Sequence, residues 1–311
     1  MSQASIAAAS YHFSTERSSI ILVVDLLSDT GTNWSLGMVI QLSRGRLAVV
    51  TGGSNGIGRA LAEALTTRGL RVVSLDRETR AESGDQVHEV SVDVRDGAAM
   101  SAAARRIGDE FGAVDLLCCN AGVGLPRIPL WQVDAADADR VWRVNVSGML
   151  NSVRAFVPSM VQQGSGHVLT TCSYLGLSIK PGGGNGVYAA SKHAVAALSE
   201  SLANEFAALG IDIGVTCLCP GPVSTKLLED AHAPARPSIR ASWPDRVDIG
   251  LSELSPASVA ETALDAVERG AHYAVTGRDA AEFVIGRLNA QATDVARFWD
   301  TAAPRGPYFN L

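Results

Sequence analysis

From Arg46 onward, short and nearly continuous apolar runs alternate with segments whose apolar residues recur every three to four positions. That alternation restricts the chain to βαβ units, and hence to a parallel sheet covered on both faces by helices. The runs are LAVVTGG from Leu47, LRVVSLD from Leu70, VHEVSVDV from Val87, VDLLCCNAG from Val114, GHVLTTCS from Gly166, IDIGVTCLCP from Ile211 and HYAVTG from His272. The first intervening helix carries Ile57, Ala60, Leu61, Ala64 and Leu65 on one face and stops at Gly69. Further helices are expected over Ala98–Phe111, Ala136–Gln162, Tyr188–Leu209 and Pro256–Glu268. The last has Ser255 as N-cap, Pro256 at its first position and Gly270 past its end.

Composition narrows the function. A hydrophobic share of 47% in 311 residues excludes a disordered chain. The 32 acidic side chains outnumber the 26 basic ones, giving a net charge of −6, which argues against a nucleic-acid partner because phosphate binding needs a basic footprint. Cys118, Cys119, Cys172, Cys217 and Cys219 show no zinc-site spacing and read as small buried hydrophobes of a reducing, cytoplasmic compartment. No metal is expected. The run IILVVDLL from Ile20 to Leu27 is too short for a membrane span, and neither a basic flank nor a cleavage pattern marks a signal peptide. Residues 1–37 are therefore expected to be an accessory, poorly ordered extension. Residues 38–311 then form one domain with a substrate lid at about 222–254.

Thr51-Gly52-Gly53-Ser54-Asn55-Gly56-Ile57-Gly58 lies where the first strand gives way to the first helix. Glycines let the backbone turn tightly and approach a pyrophosphate, whose charge then sits on the helix N-terminus. About twenty residues on, Asp76 closes the second strand, a spacing that strengthens the nucleotide reading. Its carboxylate would accept hydrogen bonds from an adenosine ribose and repel a 2′-phosphate, favouring NAD. Arg77 beside it opens the alternative of NADP, and the Asp76-Arg77 pair also reads as a plain charged turn. Asp93 and Val94 at the third strand end, and Asn120, Ala121 and Gly122 at the fourth, occupy the same carboxyl edge, where open parallel sheets bind ligands.

Tyr188 and Lys192, at i and i+4, share one face of a helix. Tyrosine is a poor proton shuttle at its usual pKa of ~10, and a neighbouring cation lowers that value. Tyr188 then serves as acid/base, with Ser173 at the fifth strand end as second donor to the substrate oxygen. Asn145, in the helical stretch WRVNVSGML, is a weak helix former in a place that Leu or Ala would suit better.

These pieces together resemble the short-chain dehydrogenase/reductase family over about Leu47–Gly277: TGGSNGIG, Asp76, Asp93, CNAG, Asn145, Ser173-x-x-Gly176, Tyr188-x-x-x-Lys192, and Pro220-Gly221 followed by Thr225. The resemblance implies a single Rossmann domain with strand order 3-2-1-4-5-6-7 and a tetrad of Asn145, Ser173, Tyr188 and Lys192. It assigns Lys192 to the nicotinamide ribose, Asn145 to a water relay, and Val223 and Thr225 to the carboxamide. It also implies a homodimer or homotetramer built through the helices near 137–163 and 188–209. This chain departs from the pattern in reading Cys119 before Asn120-Ala121-Gly122, in a glycine-rich KPGGGNGV segment expected to widen or loosen the substrate entrance, and in its N-terminal extension.

The activity implied is hydride transfer between NAD, or NADP, and a small-molecule secondary alcohol or ketone. Leu125, Ile128, Leu130, Trp131, Leu175, Leu177 and Trp243 would give the pocket an apolar lining, and Arg127 is a candidate for an anionic substrate group. Two rival readings stand beside this one: an NADPH-dependent biosynthetic ketoreductase, and a non-catalytic dinucleotide sensor that would have no need of the tetrad.

Overall fold

The computed structural model describes residues 10–12, 23–25, 40–79, 87–232 and 249–301. Seven strands form one parallel sheet: β1 (Leu47–Thr51), β2 (Arg71–Asp76), β3 (Val87–Ser91), β4 (Leu116–Cys119), β5 (Gly166–Thr171), β6 (Ile213–Pro220) and β7 (Tyr273–Thr276). Their spatial order is β3-β2-β1-β4-β5-β6-β7, the doubly wound order expected above. The order reverses between β1 and β4, and the crevice at such a reversal is where this architecture places its ligands. Ser10–His12 and Val23–Asp25 pair antiparallel as a separate two-stranded ribbon. The rest of the expected N-terminal extension, and Trp243, lie outside the described residues.

Alternation along β1 sends Leu47 and Val49 to one face and Ala48 and Val50 to the other. The first face is covered by α2 (Gly97–Phe111), α4 (Gly148–Gln163) and α5 (Gly186–Leu209), through Met100, Ile107, Phe156, Met160, Val195 and Phe206. The second is covered by α1 (Gly56–Thr67) and α7 (Pro256–Glu268), whose alanines at 60, 64, 260 and 263 allow close packing. Side-chain caps start three helices as their sequences require: Asp96 accepts from Ala99 N for α2, Ser255 from Ser258 N for α7, and Asp134 from Ala136 N for α3 (Ala135–Trp142).

Two elements differ from expectation. The stretch read as one helix over Ala136–Gln162 is α3, then a π-helical turn over Arg143–Ser147, then α4, so Asn145 sits in an interruption of the helix. Beyond β7, past the last of the expected helices, the chain forms a further one, α8 (Arg278–Thr301). Among its described side chains the buried ones, Ala280, Ala281 and Val284, lie at its start, and a stripe that short leaves little periodicity to read.

In the lid region, α6 (Lys226–His232) leaves from a closed base. Leu254 N donates to Pro222 O (2.9 Å) and Ser224 N to Leu254 O (3.0 Å), which holds the two ends of the excursion together. Residues 233–248 lie outside the described set. Among the described residues, no helix is long and apolar enough to cross a membrane.

Candidate active site

The glycine-rich turn closes against the end of β4. Gly52 has φ +68°, and a Cβ there would meet Ala121 Cα at 2.8 Å. At Gly58 a Cβ would lie 2.2 Å from Gly52 O and 2.4 Å from Asn120 Nδ2, so only glycine lets α1 approach this closely. Gly56 opens α1 under Thr225, and Ile57 packs partly into the core behind it. Asn55 caps α1 without a side-chain hydrogen bond, leaving the positive end of the helix for an anion. Buried Ser54 donates through its N to Asp76 Oδ2 (3.1 Å) and through Oγ to Glu78 O (2.6 Å). Arg77 N donates to Asp76 Oδ1 (2.7 Å) while the rest of Arg77 is exposed, so the carboxylate is held at the edge of the turn by two main-chain donors.

Asn120 is the hub of the strand ends. Its Nδ2 donates to Thr51 O (3.1 Å) and Gly52 O (3.3 Å), and its Oδ1 accepts from Thr171 Oγ1 (3.1 Å). Thr51 Oγ1 accepts from the main-chain N of Asn120 and of Ala121. Thr171 O in turn accepts from Lys192 Nζ at 2.8 Å. Gly122 lies beside that ammonium: a Cβ there would make ordinary contacts, 3.4 Å from Lys192 Nζ and 3.5 Å from Asn145 Oδ1. Asn145 is buried, donates to Val123 O (3.0 Å) and Ser191 Oγ (3.0 Å), and accepts from Val123 N (2.8 Å). Ser191 Oγ donates to Tyr188 O (2.7 Å), which links the π turn to the helix carrying the phenol.

Asn145, Ser173, Tyr188 and Lys192 are thus brought to one place. Lys192 Nζ lies 5.8 Å from the Tyr188 ring centre. Burial raises the Tyr188 pKa well above its ordinary value, and the hydrogen bond with Ser173 pulls the other way. The lowering expected from Lys192 is therefore not the net result, and burial keeps the phenol in its protonated, donor form. Burial also lowers the Lys192 pKa, against the raising influence of three nearby thiols. Asp93 and Val94 stand apart from this group. Arg95 binds the Asp93 carboxylate through side chain and main chain and holds its pKa down, while Val94 packs over Gly148 and its carbonyl accepts from Asn151. On the other side, Pro220 ends β6, Gly221 N donates to Thr276 O (3.2 Å), Val223 is buried and Thr225 faces Gly56.

The residues present fit a dinucleotide: an uncapped helix N-terminus behind a turn in which side chains are excluded, with a fixed carboxylate where a ribose would lie. Thr51, Thr171 and Ser191 were not singled out from the sequence. The only available signal was the position of the two threonines at strand ends. Of the expected pocket lining, Leu125, Ile128 and Leu175 are buried and Leu177 partly so, whereas Leu130 and Trp131 are 64% and 78% exposed. The glycine-rich segment is tied down: Arg127 donates to Gly182 O and Gly183 O, and Ile128 N to Gly184 O (2.8 Å).

Comparison with known proteins agrees with this geometry. Residues 46–235 match the family model described as short chain dehydrogenase. A cis-4-hydroxycyclohexanecarboxylate dehydrogenase of Sinomonas cyclohexanicum is 34% identical over 253 residues, spanning 79% of this chain and 94% of its own. Among solved structures, a short chain dehydrogenase/reductase from Burkholderia phymatum in complex with NAD superposes with TM-score 0.69 at 28% identity, covering 86% of this chain and 100% of the other. One from Burkholderia cenocepacia in complex with NADP gives 0.68 at 27% identity, covering 83% and 98%.

Gly58→Ala places a methyl group against main-chain oxygen and the Asn120 amide, and is expected to cost about 1–3 kcal/mol of unfolding free energy and to weaken NADH binding. Denaturant unfolding with a fluorescence titration of NADH measures both; a variant of wild-type stability contradicts the packing argument.

Proposed function

Because the chain belongs to the short-chain dehydrogenase/reductase family, whose members are oxidoreductases of CH–OH groups using nicotinamide cofactors, we propose that it oxidises an apolar secondary alcohol with NAD and reduces the ketone in reverse. The observation that carries this reading is the meeting of Tyr188 with Ser173, and of Lys192 with Thr171, beside the glycine turn. NAD, when bound, supplies the hydride acceptor and a positive ring near the phenol. Tyr188 takes the hydroxyl proton during oxidation and returns it during reduction. Ser173 Oγ orients the substrate oxygen, and Lys192 would hold the nicotinamide ribose. Asn145 positions the Val123 main chain and Ser191, with its side-chain amide occupied by those bonds. The water-relay role that the resemblance gives it then falls to its main chain, in the π turn.

Val223, buried after β6, and Thr225, which lies over Gly56, would hold the nicotinamide carboxamide. For the cofactor, fixed Asp76 supports NAD, since its carboxylate would accept from a ribose and would repel a phosphate there. NADPH-dependent ketoreduction is the second reading, favoured by exposed Arg77 and by the NADP-bound neighbour. The substrate class proposed is a ring or branched secondary alcohol, supported by the apolar side chains of Leu125, Ile128, Leu175 and Leu177 and by the named substrate of the Sinomonas relative. Residues 38–311 act as one domain in this account. A reducing cytoplasm suits five free, buried cysteines. A homodimer or homotetramer through the α4 and α5 faces is supported by exposed Leu150 and Val161 on α4.

Tyr188→Phe is expected to lower kcat by on the order of 1000-fold while the NADH dissociation constant stays within about twofold of wild type. Retained turnover on a panel of secondary alcohols contradicts the mechanism. The raised Tyr188 pKa sets the pH dependence: the proton donor persists as pH rises, so ketone reduction stays level from about pH 6 to about pH 9, while alcohol oxidation, which needs the phenolate, climbs across that window. A fall in oxidation with rising pH contradicts the assignment. In steady-state kinetics NAD exceeds NADP in kcat/KM, and Asp76→Ser narrows the gap by roughly tenfold or more; NADP preference in the wild type would show that Arg77 governs the ribose site.

A further inference from the structure

Cys217 and Cys219 stand at i and i+2 in β6 and point to the same sheet face. Cys172 follows β5 directly, where Thr171 pairs with Leu218, so it comes level with Cys219 on that same face. The three Sγ atoms lie within 4.8 Å of one another, with Cys217 and Cys219 at 3.8 Å. Cys172 Sγ occupies the space a side chain on Gly176 would fill, 2.2 Å from its would-be Cβ, and donates to Lys192 O at 3.1 Å. The hydride-transfer mechanism uses none of these thiols.

We propose that Cys172, Cys217 and Cys219 form a binding site for a soft thiophilic cation of the copper(I) type, directly beneath the catalytic Ser173 and Lys192. A metal–sulfur bond of ~2.3 Å sets sulfur–sulfur spacings of ~3.8 Å in a tetrahedral site and ~4.0 Å in a trigonal one. The observed spacings reach that range with sub-ångström shifts. Among the described residues, no fourth His, Cys, Asp or Glu joins the cluster, and a three-thiol set with no nitrogen or carboxylate suits a soft three-coordinate ion rather than four-coordinate zinc.

Capture exchanges three S–H bonds for three metal–sulfur bonds and releases three protons, with no change of oxidation state. A monovalent ion leaves a unit of net charge −2, which the buried Lys192 ammonium partly offsets. Cys172 loses its bond to Lys192 O in the process, and its neighbour in the chain is Ser173. Occupancy therefore displaces both catalytic groups and stops turnover.

The test adds tetrakis(acetonitrile)copper(I) anaerobically to the full chain and measures binding by competition with a chromophoric chelator, by thiolate-to-copper absorbance and by proton release. One ion per chain, three protons per ion and inhibition that follows occupancy are expected. Cys219→Ser, which keeps the volume, should weaken binding by on the order of 100-fold. Cys217→Val/Cys219→Val should abolish both binding and inhibition, and Cys118→Ala/Cys119→Ala should leave both as in wild type. NADH binding verifies that each variant is folded. Absence of stoichiometric binding in the wild type, or unchanged binding in Cys219→Ser, overturns the site. Binding without inhibition overturns its link to Ser173 and Lys192. Because the binding readouts need no turnover, failure of this site is separate from failure of the dehydrogenase reading.

Discussion

The side chain of Asn120 donates to the main-chain oxygens of Thr51 and Gly52 and accepts from Thr171 Oγ1, closing the ends of β1, β4 and β5 against one another. These strands flank the point where the sheet order reverses. On one side of the amide lies the glycine turn, whose shape depends on Gly52 and Gly58 packing without side chains. On the other, Thr171 O fixes the Lys192 ammonium. The nucleotide turn and the proton-transfer groups are therefore not independent. Each buried group in this chain is satisfied by the next, and removing one strands its partner at a cost of about 1–3 kcal/mol.

Burial sets a second constraint. Lys192 is almost fully enclosed, and Tyr188 lies in surroundings that disfavour the phenolate. Burial pushes both groups toward their neutral forms, the phenol protonated and the ammonium destabilised. The π turn around Asn145 belongs to the same arrangement. It interrupts the helix where the amide bonds to Val123 and Ser191 and so places a helix-disfavouring residue at low cost.

Most of the fold was legible because it rests on periodicity. All seven apolar runs became strands, and the spacing of Ile57, Ala60, Leu61, Ala64 and Leu65 described the buried face of α1. The glycine turn, Asp76 and the Tyr188–Lys192 pair could be read because each has a fixed spacing along the chain. What escaped notice depends on contacts across it. Thr51 and Thr171 act on Asn120 from 69 and 51 residues away, and nothing local distinguishes them from other strand threonines. Cys172 meets Cys217 and Cys219 only because β5 and β6 are neighbours in register. Helix α8 was not legible since its anchoring stripe spans little more than a turn, and the exposure of Leu130 and Trp131 depends on loop packing that carries no period.

The coupling through Asn120 is tested most directly by measuring, in Asn120→Ala, the NADH dissociation constant and the kcat for a secondary alcohol on the same protein. Loss of the amide should weaken NADH by roughly tenfold and lower kcat by on the order of 100-fold, because the glycine turn and the Lys192 anchor relax together. Weakened NADH binding with kcat intact at saturating cofactor would contradict the account, since the two halves of the site would then be held separately.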